Sequence, residues 1–529
     1  MRIGIAACFA LLLAGDAWAQ DHFALEILRP LATGAAGTGL DAANRVYRAY
    51  QGMPYVIDVT ARGGQWPYTY SLTGAPTGMS VEAGPCSTAT PACTAGRITW
   101  TDPQTTDSDI TIQVCDVDLD CVTATWGVTV ETTACTSAGG WCFVDGDVAD
   151  GGDGSIGNPY NTIADVWNSS TAADRVMVLR GASAAYGVTG MTQTTPGDCD
   201  QQVAWSESTR PVIWIAYPGE SVTIDFDYDS GVSTSAPCME LTGQNIWLDG
   251  FSAINVRSMA FQVIRQSQFG IMARALSFDG LLFGRDGGNS AFIMWVANYG
   301  GPSYGDTVTR TAFDNVGDAA CALKVYSVGG GVFDHLTVGA SIDDEAMLAM
   351  KAEVAEYTVR ASSFNGHPTG IGGNMNGAPT GGATLSTNGE IYHNLFLDSG
   401  TGVNDGAITL GVAKVNTIGR HYVYRNTLIG KLNIANMVTA DGSYDFTDNV
   451  IVNDDAASGS CPAKYVCTSV TDYTRLVRSG NIDAGTADAA VDASGNLQGA
   501  YLTHLGTKGY QLSGSGGATG GIRLRRRGE

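Results

Sequence analysis

The sequence predicts an all-β protein: a small sandwich at the front and a long stack of similar, strand-bearing repeats behind it. Three observations carry this. Glycine supplies 69 of 529 residues, and charged residues only 15%, against ordinary usage of about 7% and about 25%. Hydrophobic residues reach 44%, enough to fill a core, which excludes a disordered chain. Short apolar runs then recur from residue 245 onward at intervals that signal stacked repeats. Together the glycine excess and the shortage of charge exclude a helical bundle or coiled coil.

Lys plus Arg is 29 and Asp plus Glu 52, a formal charge of −23. Nucleic-acid binding rests on phosphate neutralisation by a basic surface. The only basic cluster here is Arg523, Arg525, Arg526 and Arg527, read as a solvated tail, so nucleic acid is excluded as a partner. Residues 1–19 read as a secretory signal: Met1-Arg2, an apolar run through Ala10-Leu11-Leu12-Leu13-Ala14, and Ala17-Trp18-Ala19 before the expected cut. No later run is long enough for a membrane helix. The expected location is secreted, periplasmic or cell surface.

The cysteines agree with export. Eight of them form four close pairs, 86/93, 115/121, 135/142 and 461/467, which suit local staples in an oxidising compartment. Cys199 and Cys238 make a candidate fifth bridge, and Cys321 reads as core packing. No CxxC occurs, which argues against zinc.

Residues 20–44 read as a leader of modest order and 45–131 as a small β-sandwich. Val56-Ile57-Asp58-Val59 and Ile110-Thr111-Ile112-Gln113-Val114 alternate, with turn residues at short intervals. The segments Gly63-Gly64-Gln65-Trp66-Pro67-Tyr68-Thr69-Tyr70, Gly74-Ala75-Pro76-Thr77-Gly78-Met79-Ser80-Val81 and Gly96-Arg97-Ile98-Thr99-Trp100 resemble the Ig-like repeats of bacterial surface proteins. The resemblance implies a spacer or adhesive unit without chemistry of its own.

Residues 135–470 are expected to form the stack, and 471–529 its C-terminal cap and tail. We take as repeat anchors Phe251, Leu276, Phe313, Leu336, Phe364, Phe396, Leu428 and Ile451, separated by 25, 37, 23, 28, 32, 32 and 23 residues. Asn394, Asn426 and Asn449 precede the later anchors. Asparagine tolerates left-handed turn geometry, and stacked amides can bond from coil to coil. Leucine spacing is wrong for a leucine-rich repeat. The Asp/Gly-rich entry Phe143-Val144-Asp145-Gly146-Asp147 to Tyr160, a short helical segment at Asn161–Trp167, and phrases such as Tyr392-His393-Asn394-Leu395-Phe396 resemble secreted right-handed parallel β-helices of the pectin-lyase-like class. The resemblance implies about ten coils, a capped first coil and an extracellular polysaccharide partner.

Candidate site residues follow from the coils. Trp295, Tyr299 and Tyr304 lie on a long insertion where aromatic faces can stack on sugar rings, and Arg420 lies on a later coil. The insertion from 366 to 382 contains no phosphate-loop pattern. His335, His367, His393 and His421 are separated by 32, 26 and 28 residues, near one coil each. Val332-Phe333-Asp334-His335-Leu336-Thr337-Val338, Asp343-Asp344, Tyr357-Thr358-Val359-Arg360, Phe364 and His367 are similar in order to pectate lyases. His335, Asp344, Arg360 and His367 lie in that similarity; with Lys351 and His393 from the surrounding coils they make the candidate lyase set, a base and an acid with cationic help. It lacks the family's carboxylate four residues after the first acid, where Leu348 follows Asp344, and its Arg-Pro-Arg segment after Asn394. A hydrolase instead needs two carboxylates about 5–10 Å apart. Asp145, Asp147, Asp150 and Asp153 are candidate ligands for Ca2+, which prefers oxygen donors. The functional expectation is a secreted polysaccharide lyase or glycoside hydrolase. The alternative is a noncatalytic surface or adhesive protein with the solenoid as a stalk.

Overall fold

A computed structural model describes residues 23–32, 45–85, 93–104, 106–136, 140–168, 175–187, 203–225, 239–255, 261–265, 272–274, 276–279, 292–298, 303–314, 321–326, 328–339, 346–351, 356–365, 369–374, 388–397, 408–410, 419–429, 442–447, 449–452, 476–479 and 482–483. The signal segment, Cys86, Cys199, Cys238, Cys461, Cys467 and the C-terminal arginines lie outside these residues.

The front module is built from two sheets. One orders its strands Arg48–Tyr50, Cys121–Glu131, Ser108–Cys115 and Thr69–Gly74; the other orders Tyr55–Asp58, Arg97–Trp100 and Met79–Val81. All pairings are antiparallel except that of Arg48–Tyr50 with Thr129–Glu131. Period-two alternation sends Ile110, Ile112 and Val114 inward against Ala124, Trp126 and Val128. The Cys115–Cys121 disulfide staples one hairpin, Cys135–Cys142 joins the linker to the next strand, and Cys93 is also disulfide-bonded. These bonds suit an oxidising compartment. No helix among the described residues is long and apolar enough to cross a membrane.

The expected leader is not loosely ordered throughout. Glu26–Arg29 is a strand that pairs with Thr60–Arg62. Leu28 is buried, and Tyr47 Oη accepts the Leu31 amide at 3.0 Å. A short segment anchored this way gains enough packing to order itself.

From Gly140–Val144 onward the strands stack in parallel, in chain order. Among the described residues three long ladders result, beside the short parallel pair Ser303–Tyr304 with Val328–Gly329. The first runs through Phe261–Arg265, Phe292–Asn298, Cys321–Tyr326, Ala346–Lys351, Thr369–Asn374 and Ile408–Leu410. The second runs through Met272–Arg274, Thr307–Thr309, Val332–Asp334, Tyr357–Arg360, Gly389–Tyr392, Gly419–Tyr424, Gly442–Thr447 and Leu476–Ser479. The third has eleven strands, from Tyr186–Gly187 to Ile482–Asp483. Stacked parallel ladders of this kind are the arrangement of a β-helix. At its entry, the helix Ile163–Asn168 opens with a reciprocal cap: Thr162 Oγ1 accepts the Asp165 amide, and Asp165 Oδ2 accepts the Thr162 amide, each at 3.2 Å.

Register corrects three anchors. The true row is Ala253, Phe278, Phe313, Val338, Phe364, Phe396, Leu428 and Ile451. Phe251, Leu276 and Leu336 stand two residues early. Leu276 and Leu336 occupy the two-residue turn between the second and third ladders, where they are buried and look like strand residues in sequence.

That turn also corrects the role given to asparagine. Its left-handed residue comes one position earlier: Arg310, His335, Ala361, His393 and Arg425 have φ between 48° and 56°. The asparagines that follow are hydrogen-bonding rungs. The Ser362 amide donates to Asn394 Oδ1 at 3.0 Å, the Asn394 amide to Asn426 Oδ1 at 3.0 Å, and the Asn426 amide to Asn449 Oδ1 at 2.9 Å. All three asparagines are fully buried.

Candidate functional site: a clamp beneath the module

The outer face of the second ladder is not a groove. Residues of the module and of the first coils, among them Tyr50, Trp141, Phe143, Val178, Ile215 and Trp247, share one hydrophobic cluster. Tyr50 lies 5.3 Å from Trp141 and 5.2 Å from Phe143, centroid to centroid. Further along, apolar packing gives way to charge.

Adjacent coils place Thr309, Asp334, Arg360, Tyr392 and Tyr424 in one register row. Arg360 donates from Nε and Nη2 to Asp334 Oδ2 at 3.0 and 2.8 Å. Its Nη1 reaches Tyr68 Oη at 3.0 Å and Tyr392 Oη at 3.1 Å. Tyr68 belongs to the module, donates in turn to the Gly63 carbonyl at 2.6 Å, and lies with its ring 4.9 Å from the guanidinium carbon. His335 Nδ1 pairs with Asp334 Oδ1. Trp66 of the module lies 4.8 Å from the His393 ring and 6.4 Å from the His335 ring. One turn earlier, Arg310 donates to Asp58 Oδ2 at 2.6 Å, to the Ala95 carbonyl at 2.8 Å and to the Cys93 carbonyl. Arg62 of the module donates to the Glu356 carbonyl at 2.6 Å.

The structure therefore gathers His335, Arg360 and His393, but under the module. They are 3%, 1% and 1% exposed. The cavity against Trp66, Tyr68, Arg310, Asp334 and His335 is about 10 Å3, room for one water at most. A sugar ring cannot enter it. Burial opposes ionisation of Asp334, but the charges of Arg360 and His335 outweigh it and hold the carboxyl well below the usual range. Arg360 is likewise held charged by Asp334 against the cost of burial. Those are the electrostatics of a satisfied ion pair.

Nearby, Tyr357 Oη lies 3.0 Å from His421 Nδ1, and burial lowers the His421 pKa from 6.5 to about 4. The unfolded chain takes up this proton below about 6.5, whereas the folded state resists it until about 4. Stability from this group is complete above the unfolded value and is lost as pH falls through that window, by up to about 3 kcal/mol. His421→Asn is expected to lose less stability than the wild type between pH 7 and pH 4.5, as read from urea midpoints.

The remaining candidates are dispersed. Lys351 and Trp295 stand on first-ladder strands, where Lys351 pairs with Tyr326 and Asn374, and Trp295 with Gln262 and Lys324. Tyr304 ends the two-residue strand Ser303–Tyr304, and Arg420 stands in the second ladder opposite Ser443. Asp344, His367 and Tyr299 lie outside the described residues. The four loop aspartates do not converge. Asp145 Oδ1 accepts the Asp147 amide, Asp147 accepts the Ser183 amide, and Asp153 Oδ1 accepts the Ser155 amide, each at 3.0 Å. Among the described residues, no group of three or more His, Cys, Asp or Glu is arranged to hold a metal.

Sequence reasoning missed Asp58, Trp66, Tyr68 and Arg310. The available signal was the Trp66-Pro67-Tyr68 cluster on a glycine-rich loop, too polar and too aromatic for an ordinary strand connection.

No family model matches the sequence, and no curated protein matches it. Solved structures give distant likenesses. A Yersinia enterocolitica family 28 exopolygalacturonase is 10% identical at a TM-score of 0.35, over 83% of this chain and 97% of that one. A PL6 alginate lyase in complex with a trisaccharide is 11% identical at 0.30, over 65% and 86%. The catalytic domain of a GH87 α-1,3-glucanase in complex with tetrasaccharides is 10% identical at 0.32, over 81% and 86%.

Proposed function

We propose that this protein is an extracytoplasmic polysaccharide-binding solenoid: an Ig-like module clamped to a right-handed parallel β-helix, with an extended glycan lying along the first ladder. The right hand is the sense that parallel crossovers almost always take. The observation that carries the reading is register. Tyr326, Lys351 and Asn374 occupy one row and Trp295 and Lys324 another. Leu323, Val325, Leu348 and Met350, at the alternate positions of the same strands, are buried. Successive coils repeat about every 4.8 Å, so these register rows set aromatic, cationic and amide residue types at regular steps along the ladder, the spacing an extended chain would need.

Affinity electrophoresis on a panel of uronate and neutral polysaccharides tests this, with unsaturated-product absorbance and reducing ends read in parallel. Retention by at least one polysaccharide is expected, weakened several-fold by Lys351→Ala. Absence of retention on every polysaccharide would contradict it. The noncatalytic, adhesive form of this reading is favoured by the burial of His335, Arg360 and His393. Product formation that collapses in a folded His335→Ala variant would overturn that form.

A further inference from the structure

A second opening lies between the two units, at the early coils. It is a cleft of about 300 Å3, thirty times the cavity over the clamp and at the lower end of the range for small-molecule sites, which favour domain interfaces. The module contributes Arg45, Arg97 and Thr99; the solenoid contributes Tyr217, Glu220 and Asp249.

These groups are held in place. Arg45 is 2% exposed, and its guanidinium carbon lies 4.8 Å from the Tyr55 ring and 5.3 Å from the Trp141 ring. Arg97 Nε reaches Asp58 Oδ1 at 3.3 Å. Asp249 is 6% exposed, and its Oδ2 accepts from Trp247 Nε1 at 3.2 Å. Glu220 is fixed by Arg180 at 2.7 Å and by the Gly181 amide at 2.6 Å. Burial opposes its ionisation, but these bonds and the Arg180 charge keep its pKa lowered. One face of Tyr217 is covered by Arg180 at 4.3 Å.

The charge balance selects the ligand. The lining holds two guanidinium groups and two carboxylates, with Asp58 paired to Arg97 and Arg180 paired to Glu220, so neither an anion nor a cation is favoured over the other. Hydroxyl groups both donate and accept, so a lining that carries both donor and acceptor groups suits a polyol. The cleft wall also offers apolar surface from Val56 and Pro218, which suits the C–H face of a sugar ring. We propose that this interdomain cleft is a second carbohydrate site, taking a neutral unit of mono- to disaccharide size. The proposal rests on the polysaccharide-binding reading and adds to it a site assembled only while the module is docked.

The test uses the full chain. Isothermal titration with glucose, galactose, mannose, N-acetylglucosamine, maltose and cellobiose is compared with glucuronate and galacturonate. Two variants accompany it: Thr99→Trp, which fills the cleft, and Tyr217→Ala, which opens its wall, each checked by an unchanged melting profile. At least one neutral sugar is expected to bind, with Kd raised tenfold or more in whichever variant keeps the wild-type melt. Equal binding in wild type and folded variants would overturn the site while leaving first-ladder binding intact. Preference for the uronates would overturn the ligand class. Absence of binding by any of these sugars would overturn the proposal, and polysaccharide retention by the same preparation would separate that result from failure of the broader reading.

Discussion

Arg360→Met is expected to destabilise the protein by about 3–5 kcal/mol, the cost of breaking a buried ion pair by removing one partner. Asp334 would remain buried beside His335 without its guanidinium partner, and the Tyr68 and Tyr392 hydroxyls would lose their shared donor. Urea unfolding followed by tryptophan fluorescence measures this. The double variant Arg360→Met with Asp334→Leu is expected to recover most of the loss, because an apolar pair of similar volume avoids burying an unmatched carboxylate. A single variant as stable as wild type would show that the clamp does not hold in solution.

Asn426→Ala is expected to cost about 3–5 kcal/mol through unsatisfied buried groups. The side chain accepts from both the Asn394 amide and Asn394 Nδ2, at 3.0 and 3.1 Å, and donates to the Ile391 carbonyl at 2.9 Å and to Asn449 Oδ1 at 3.0 Å. None of these partners can turn to solvent, since Ile391, Asn394 and Asn449 are fully buried. The effect is expected to stay local in hydrogen exchange, with amides of the neighbouring coils losing protection first. In a stack, each coil contacts chiefly its neighbours. Thermal melts that match wild type would contradict the assigned role of the amide ladder.

The ladder was legible in the sequence because its residue type is chemically demanding. Asn394, Asn426 and Asn449 recur ahead of apolar residues, and few side chains can both accept from one coil and donate to another. The left-handed residues before them were not legible. Arg310, His335, Ala361, His393 and Arg425 share a backbone conformation but no chemistry. The spacing of His335 and His393 follows from the one turn position that both occupy. The anchor row slipped by two residues for a related reason: Leu336 in the turn and Val338 in the strand are equally apolar and equally buried.

The clamp was the least legible feature. Asp58 and Arg310 are 252 residues apart, and Tyr68 and Arg360 are 292 apart. No periodicity within either unit links them. Arg360 reads as a member of the candidate lyase set, and Tyr68 only as part of an Ig-like phrase. Only the docking of two separately legible units makes them partners. The candidate glycan face has the opposite character: Trp295 and Lys351 were found from their chemistry, and the register then assigns them neighbours, Lys324, Tyr326 and Asn374.

Packing of the module over the second ladder is expected to seal the outer face of that ladder from solvent. Diethylpyrocarbonate labelling of the folded chain at neutral pH, read peptide by peptide by mass spectrometry, tests this most directly. His335, His393 and His421 are expected to stay unmodified until the protein is unfolded, then to react fully. Modification of His335 and His393 in the native protein at the rate of a free imidazole would show that face open to solvent, and would return those residues to candidacy as catalytic groups.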